Sequence, residues 1–297
     1  MRYRRGHDKM KLVRFKTGER IALGVYLEES MEIAELATVG ERQSPDSMCG
    51  FLEAGEAGFE GAKAAIANGS KSERHPLSSV QLLAPVGDPG KIICVGQNYR
   101  DHCAEQNQPI PESAIIFSKY STALNDPNGV IFLPKVTQKA DYEAEFAFVI
   151  GKKGKNIPEA EAMDYVAGYM CANDISARDI QFADKQWVRG KTPDGFFPTG
   201  PYLVTKDEIA DPHNLAISLK LNGATMQSSN TSNLIFNVPF LIAYLSLTMT
   251  LLPGDIITTG TPGGVGVFRD PPIFLKSGDA LEVTIEGLGT LRNTVSN

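Results

Sequence analysis

The sequence lacks long apolar runs and has few cysteines. No run approaches the ~18 apolar residues that a membrane-spanning helix needs. Cys49, Cys94, Cys103 and Cys171 form no C-x-x-C pair, which argues against a structural zinc site and is typical of a reducing cytosol. The basic residues 1–10 are followed by no apolar stretch, so they do not resemble a secretory signal. These features predict a cytoplasmic protein; the mitochondrial matrix is the less favoured alternative, because a presequence would be longer and amphipathic.

A basic surface is also lacking. The net charge is −6, whereas nucleic acids and anionic membranes bind proteins through a basic face. The charge therefore argues against both as partners. It is compatible with a small carboxylate substrate, which needs only a local positive site. Hydrophobic residues make up 42% of the chain and charged residues 22%, as in a globular protein with a large core.

Several motifs of common enzyme classes are missing. The sequence has no internal repeat and no G-x-S-x-G elbow, which argues against a serine hydrolase. Cys103 directly follows His102, and neighbouring side chains on a helix point apart, which argues against a cysteine nucleophile. The glycine-rich loop at residues 260–266 has the wrong spacing for a nucleotide-binding motif. Its backbone N–H groups and the Thr261 hydroxyl could instead bind an anion.

Short strands dominate the predicted secondary structure. Apolar or alternating segments predict strands at residues 12–15, 21–27, 33–36, 91–95, 115–119, 130–133, 141–150, 167–174, 216–221, 224–227, 255–259, 280–285 and 289–295. Helical spacing predicts helices at residues 51–67, 158–164 and 238–247, and a further helix that begins near residue 176. The pattern favours a β-rich α+β fold over a doubly wound sheet. Prolines and glycines in residues 85–90 indicate a linker between a small N-terminal domain, 1–85, and a larger domain, 86–297.

The most unusual segment is the predicted strand at residues 141–150, DYEAEFAFVI. Because side chains alternate along a strand, Glu143 and Glu145 project from the same face of an otherwise apolar segment. Two like charges on a half-buried face repel each other and lose hydration. Either this end of the strand lies in water, which is the commoner outcome for acids, or a positive group lies between the two carboxylates.

Asp174 is a third acid in a similar setting. On the predicted strand at 167–174 it shares a face with Met170 and Ala172. Together with Glu143 and Glu145 it could form an oxygen-only site for Mg²⁺ or Mn²⁺. The alternative is that Asp174 only caps the following helix. A lysine or arginine between the three acids would contradict the metal site.

His102 and Glu105 lie three residues apart, directly after an apolar strand and a glycine turn. On a helical turn the two side chains could form a hydrogen bond. A carboxylate that holds an imidazole in one tautomer makes it a usable general base. The alternative is an unrelated pair of surface residues. Lys191, in a loop rich in glycine and proline, could neutralise a substrate carboxylate or be an ordinary solvated lysine.

Five segments, in this order, resemble the fumarylacetoacetate hydrolase family. They are residues 95–105 (VGQNYRDHCAE), 141–151 (DYEAEFAFVIG), 173–179 (NDISARD), 190–192 (GKT) and 259–266 (TGTPGGVG). The resemblance covers about residues 91–295, and the whole chain is most similar to the domain-containing protein 2 branch of the family. It implies a catalytic domain of mixed β-roll or β-sandwich type, a small N-terminal β-containing domain and a homodimer.

The resemblance also implies roles for individual residues. The implied ligands of Mg²⁺ or Mn²⁺ are Glu143, Glu145 and Asp174. The implied catalytic residues are His102 and Glu105, as a pair on a lid over the substrate, together with Lys191. The implied substrate-binding residues are Gln97, Tyr99, Lys191 and Thr261, although Gln97 stands where several relatives carry arginine.

The implied activity is metal-dependent chemistry on a small enolisable 2-oxo acid. A cation that binds the C1 carboxylate and the C2 carbonyl oxygen would stabilise an enolate. Reprotonation then gives keto–enol tautomerisation, and loss of a C4 carboxylate gives decarboxylation of oxaloacetate. Attack by water activated by His102 and Glu105 gives C–C hydrolysis of acylpyruvates or fumarylacetoacetate-like β-diketones. The resemblance favours oxaloacetate tautomerisation; a non-catalytic protein that binds a metal or a dicarboxylate is the alternative of a different class.

Overall fold

The computed structural model of the protein describes residues 9–36, 47–67 and 74–297. The strands are β1 (Lys11–Thr17), β2 (Arg20–Leu27), β3 (Glu32–Glu35), β4 (Arg74–Pro76), β5 (Gln81–Leu83), β6 (Ile92–Gly96), β7 (Ile115–Lys119), β8 (Leu124–Asn125), β9 (Val130–Phe132), β10 (Ala140–Asp141), β11 (Ala144–Ile150), β12 (Val166–Asn173), β13 (Ser176–Ala177), β14 (Phe197–Thr205), β15 (Ala216–Leu221), β16 (Ala224–Asn230), β17 (Ile256–Thr258), β18 (Ala280–Ile285) and β19 (Gly289–Ser296). The α-helices are α1 (Met48–Glu53), α2 (Glu56–Ala67), α3 (Arg100–Glu105), α4 (Arg178–Ala183), α5 (Val188–Lys191) and α6 (Val238–Thr248). The predicted β-rich α+β fold is confirmed. Within the described ranges, no helix has the length and apolarity needed to cross a membrane.

Two mixed sheets form the body of the fold. The larger sheet has the strand order β4-β3-β2-β1-β14-β12-β11-β17-β6-β7, with β5 and β8 paired to β1 and β14. The smaller sheet has the order β16-β15-β18-β19-β9. Most neighbours are antiparallel, but β17 pairs with β6 and β19 with β9 in parallel. This mixture agrees with the fold that the family resemblance implies.

The central strand β11 is buried on both faces. Phe146 and Phe148 belong to a core that includes side chains of the smaller sheet. Ala147 and Val149, on the opposite face, belong to a second core that includes side chains of α1 and α2. Because both faces are covered by protein, acids at the start of β11 are removed from water. The expectation of a solvated strand end is therefore wrong.

The N-terminal strands continue the larger sheet. β1 pairs with β14, where Leu12 lies opposite Leu203, so the sheet is continuous across the predicted boundary at residue 85. The division into residues 1–85 and 86–297 stays a prediction. The helix predicted at 51–67 is two helices, α1 and α2. Gly55, with φ of +55°, adopts the left-handed conformation that ends α1.

Candidate active site: a buried acid cluster beside a histidine–glutamate pair

The backbone of β11 and β12 brings the three predicted acids together. Glu145 on β11 lies opposite Ala172 on the antiparallel strand β12. One step beyond the end of each strand, the Asp174 N–H donates to the Glu143 carbonyl at 2.9 Å. One oxygen each from Glu143, Glu145 and Asp174 lies within 4.8 Å of the others. All three side chains are buried, so the end of this strand pair presents a compact acidic cluster.

Three basic side chains surround the acids. Lys191 Nζ lies 2.6 Å from Glu143 Oε2 and 2.9 Å from Asp174 Oδ2. Lys119 Nζ lies 2.7 Å from Asp174 Oδ1, and Arg178 Nη2 lies 2.7 Å from Glu143 Oε1. Both oxygens of Asp174 thus contact lysines, and its side chain does not cap helix α4. The helix-cap alternative is therefore wrong.

The acids differ sharply in their electrostatic surroundings. Burial raises the pKa of Glu143, but the charges of Lys191 and Arg178 outweigh this effect and lower the pKa to about 2. Within the described ranges, Glu145 forms no ion pair, and it accepts a hydrogen bond from the Gly260 N–H at 3.0 Å. Burial, followed by the charges of the two other acids, raises the pKa of Glu145 well above its usual range.

The cluster has one acid more than it has bases. The buried acids are Asp141, Glu143, Glu145 and Asp174, and the buried bases that pair with them are Lys119, Arg178 and Lys191. Either a proton on Glu145 or a bound cation can neutralise the excess negative charge. The donor set, three carboxylates and no nitrogen or sulfur, fits a hard divalent cation.

Lys191 lies between two of the acids, so the expectation that no basic side chain would occupy this position is wrong. Its ammonium group bridges two of the three acids. An ion that used the same oxygens of Glu143 and Asp174 would have to displace this ammonium group. The arrangement therefore places Lys191 and a cation in competition. It leaves Glu145 as the acid whose charged form an added positive charge would stabilise most.

The predicted histidine–glutamate pair is formed on α3. His102 Nδ1 lies 3.1 Å from Glu105 Oε2, and both residues are largely removed from solvent. The other carboxylate oxygen of Glu105 accepts a hydrogen bond from the Gly264 N–H at 2.8 Å. This pairing leaves Nε2 as the His102 nitrogen that can exchange a proton. Cys103 Sγ lies 3.5 Å from the Gln97 carbonyl oxygen and does not line the cavity described below.

One cavity is lined by two of the three acids and by the histidine of this pair, whereas Asp174 and Glu105 do not line it. The predicted residues that line the cavity are Gln97, His102, Glu143, Glu145, Lys191 and Thr261. Tyr99 is an exception among the predicted substrate-binding residues. Its ring is fully buried in the hydrophobic core and does not line the cavity. Its predicted role is corrected: the backbone of Tyr99 bridges to Leu234 and anchors the start of α3.

Sequence reasoning missed several residues of the cavity wall. They are Phe117, Arg178, Gln181, Phe182, Trp187 and Phe268. Arg178 lies in the segment 173–179 that carries the family resemblance, but neither that resemblance nor the predicted helix start assigns it a role in the site. The signal that could have identified Arg178 is the need of buried acids for positive partners.

The glycine loop does not offer its N–H groups to a ligand as expected. Three of them donate to carboxylates of the protein itself: Gly260 to Glu145 (3.0 Å), Gly264 to Glu105 (2.8 Å) and Gly266 to Asp141 (2.8 Å). The Thr261 hydroxyl accepts a hydrogen bond from Gln227 at 2.8 Å while the residue lines the cavity. The loop therefore organises the acids of the site.

Comparisons with known proteins point to one family. The model of the family "Fumarylacetoacetate (FAA) hydrolase C-terminal" matches residues 91–296. The chain is 48% identical over 292 residues to "Oxaloacetate tautomerase fahd2, mitochondrial" of Xenopus laevis, which covers 96% of this chain and 90% of that protein. It is 51% identical over 253 residues to "Oxaloacetate tautomerase FAHD2A, mitochondrial" of Homo sapiens, which covers 84% of this chain and 80% of that protein.

A solved structure extends the similarity to the whole fold. The fumarylacetoacetate hydrolase of Exiguobacterium antarcticum matches with a TM-score of 0.81 at 34% identity. The match covers 97% of this chain and 99% of that chain. The protein belongs to the fumarylacetoacetate hydrolase family and is an enzyme of that family.

Proposed function

We propose that the protein is a divalent-metal-dependent oxaloacetate tautomerase, which interconverts the keto and enol forms of oxaloacetate. One observation carries the proposal: Glu143 and Glu145 of the acid cluster and His102 of the His102–Glu105 pair line one cavity with Arg178 and Lys191. Such a cavity combines oxygen ligands for a cation, a general base and positive groups for a carboxylate, which together favour enolisation of a 2-oxo acid. The names of the Xenopus and human relatives support the choice of tautomerisation among the possible reactions.

The proposed cofactor is Mg²⁺ or Mn²⁺, held by Glu143, Glu145 and Asp174. Carboxylate oxygens are the ligands that both ions prefer, and the uncompensated negative charge of the cluster favours a cation. When bound, the ion would supply a Lewis acid for the carboxylate and carbonyl oxygens of the 2-oxo acid.

The proposed proton carrier is His102. Its Nδ1 is held by Glu105, and Glu105 is in turn fixed by the Gly264 N–H. In the keto-to-enol direction, His102 Nε2 takes one proton from C3, and the resulting imidazolium donates one proton to the C2 oxygen, so His102 ends neutral. In the reverse direction His102 takes the proton of the enol hydroxyl and returns one to C3. A positioned general base of this kind contributes about 10²- to 10⁴-fold to a rate.

The charges of the cavity suit a substrate with two carboxylates. Arg178 and Lys191 both line it, and Gln181 and Thr261 add neutral polar groups. Oxaloacetate carries a carboxylate at each end, so its negative charge can be shared between the metal site and these basic side chains. Gln97 also lines the cavity and contributes a neutral amide.

The proposed location and assembly rest on the relatives. The printed names of the Xenopus and human proteins place those proteins in mitochondria, so we propose a mitochondrial location. The cytoplasmic expectation has no support from the comparisons. Residues 1–8, on which the question of a presequence depends, lie outside the described residues. The homodimer stays a proposal, which light scattering of the purified protein tests directly.

The experiment that tests the function follows the ultraviolet absorbance of enol oxaloacetate with chelator-stripped enzyme plus Mg²⁺, Mn²⁺ or EDTA. We expect the enzyme with a metal to accelerate enol loss without forming pyruvate, and EDTA to abolish the acceleration. Each metal alone, without enzyme, is the control for background catalysis. Release of CO₂ with pyruvate would instead indicate a decarboxylase. Cleavage of acylpyruvates without any effect on oxaloacetate would indicate a C–C hydrolase.

A further inference from the structure

We propose that Asp141 is a positioning residue of this active site, which holds Arg178 and the glycine loop in one fixed arrangement. Asp141 is neither a predicted ligand nor a member of the His102–Glu105 pair, and it does not line the cavity. Its role would be to fix the position of the Arg178 guanidinium group, which lines the cavity, relative to His102. The expected effect on turnover rests on the proposed function, whereas the expected effects on Mn²⁺ and oxalate binding do not.

The Asp141 carboxylate is fully buried and accepts four hydrogen bonds from the protein. Oδ1 accepts from the backbone N–H groups of Gly266 at 2.8 Å and Tyr142 at 2.9 Å. Oδ2 accepts from the Val267 N–H at 3.0 Å and from Arg178 Nε at 2.9 Å. Each oxygen therefore has two donors and no exposure to water. A carboxylate bound in this way joins two separate parts of the chain rigidly.

On one side, Asp141 fixes the orientation of Arg178. The guanidinium group donates through Nε to Asp141 and through Nη1 to Gln181 Oε1 at 3.0 Å, while Nη2 lies 2.7 Å from Glu143 Oε1. Two hydrogen bonds and one ion pair thus fix the orientation of this group. Arg178 and Gln181 both line the cavity. Among the described residues, Glu143 would be the one carboxylate left in an ion pair with Arg178 if Asp141 were removed.

On the other side, Asp141 fixes the glycine loop where the loop approaches the histidine. Two residues after Gly266, the Phe268 ring lies 6.1 Å from the His102 ring, centroid to centroid. Earlier in the same loop, the Gly264 N–H donates to Glu105. A Cβ on Gly266 would lie 1.9 Å from the Ile273 carbonyl oxygen and 2.6 Å from Asp141 Oδ1, so the packing of the loop at this point requires glycine. One carboxylate therefore connects Arg178 with the loop that contacts the proton-transfer pair.

Replacing Asp141 with asparagine keeps the shape but removes the charge and converts one acceptor into a donor. The new amide N–H₂ must then face two existing donors, on whichever side it lies. We expect the kcat of D141N to fall by about 10- to 100-fold, as is typical when a residue that holds an active-site side chain in place loses its hydrogen bonds. We expect its Mn²⁺ affinity to stay within about twofold of wild type, because Glu143, Glu145 and Asp174 are unchanged.

The test is a double-mutant cycle with D141N, R178K and the double variant. Mn²⁺ binding is followed by electron paramagnetic resonance. Binding of oxalate, an unreactive dianion, is followed by the fluorescence of Trp187, the only tryptophan of the chain and a residue of the cavity wall. The kcat and KM for oxaloacetate complete the set. D179N is the matched control, since Asp179 accepts from Thr137 and the Gln138 N–H and does not line the cavity.

If Asp141 acts through Arg178, the double variant binds oxalate and turns over substrate little worse than R178K alone. Losses that multiply would overturn the proposal, and so would wild-type kcat, KM and oxalate affinity in D141N. Should D141N fail to fold, Asp141→Glu keeps the negative charge but moves the carboxylate by one methylene, out of register with the Gly266, Val267 and Arg178 donors. It is expected to weaken oxalate binding and to retain Mn²⁺ binding; unchanged oxalate binding would overturn the proposal. If the wild type shows no tautomerase activity, the proposed function fails while the oxalate cycle still tests the positioning role.

Discussion

Lys191 offers the sharpest perturbation of the acid cluster, because its replacement should move metal affinity and turnover in opposite directions. The ammonium group bridges Glu143 and Asp174 and is 3% exposed. Lys191→Met removes the positive charge while keeping much of the side-chain volume. We expect the metal-free protein to lose stability, the bound cation to gain affinity, and turnover to fall because a basic group of the cavity is lost.

The size of the effect on stability follows from Glu143. Lowering its pKa from an ordinary 4.5 to about 2 corresponds to about 3 kcal/mol, to which Lys191 and Arg178 both contribute. A lowered carboxyl pKa stabilises the folded protein at pH above 4.5, and this stabilisation is lost as the pH falls through about 2. Removing one partner of a buried ion pair costs about 3–5 kcal/mol, and because Arg178 remains in place, we expect K191M to lower the free energy of unfolding by about 3 kcal/mol in EDTA at neutral pH.

Thermal unfolding of K191M and wild type, each in EDTA and in saturating Mn²⁺, measures both effects. A tenfold tighter Mn²⁺ affinity adds about 1.4 kcal/mol of stabilisation at the same ion concentration. We expect saturating Mn²⁺ to stabilise K191M by at least this much more than it stabilises the wild type. K155M is the control, since the exposed Lys155 donates to the Leu247 carbonyl far from the acids in sequence. Equal or smaller stabilisation of K191M by Mn²⁺ would refute the competition between Lys191 and the ion.

Three further predictions concern the acids and the histidine. Glu145→Gln should abolish Mn²⁺ binding, which electron paramagnetic resonance measures. It should not destabilise the metal-free protein, because burial and the neighbouring acids raise the pKa of Glu145 and oppose its negative charge. Retained Mn²⁺ binding would contradict the role of Glu145 as a ligand. For the same reason, the Mn²⁺ affinity of the wild type should rise with pH, because the proton on Glu145 becomes easier to displace. A Mn²⁺ affinity that does not change with pH would contradict this prediction. His102→Asn should lower the tautomerisation rate by at least about 10²-fold with Mn²⁺ binding intact, and loss of both would mean that His102 acts only structurally.

The local pattern of the sequence predicts much of this site. Strand alternation places Glu143 and Glu145 on one face, and the spacing of His102 and Glu105 predicts a pair that the structure forms at 3.1 Å. Both predictions depend only on residues that are neighbours in the chain. The same holds for most strands, whose predicted and observed bounds differ by one or two residues.

The remainder depends on contacts between distant parts of the chain. The acids are buried because helices α1 and α2 and the smaller sheet cover opposite faces of β11, which no pattern within β11 could show. Their basic partners come from separate segments, with Lys191 48 residues from Glu143. Tyr99 was expected in the cavity because of its position in a motif, yet its ring points into the core. The N–H groups of the glycine loop already bind the protein's own carboxylates.

The central claim is that the three-acid cluster binds one divalent cation on which tautomerisation depends. The most direct measurement is a titration of chelator-stripped protein with Mn²⁺, in which bound ion and the rate of enol loss are read from the same samples. We predict that both saturate together at one ion per chain. A full rate before any ion is bound, or saturation of the ion without any increase in rate, would contradict the account.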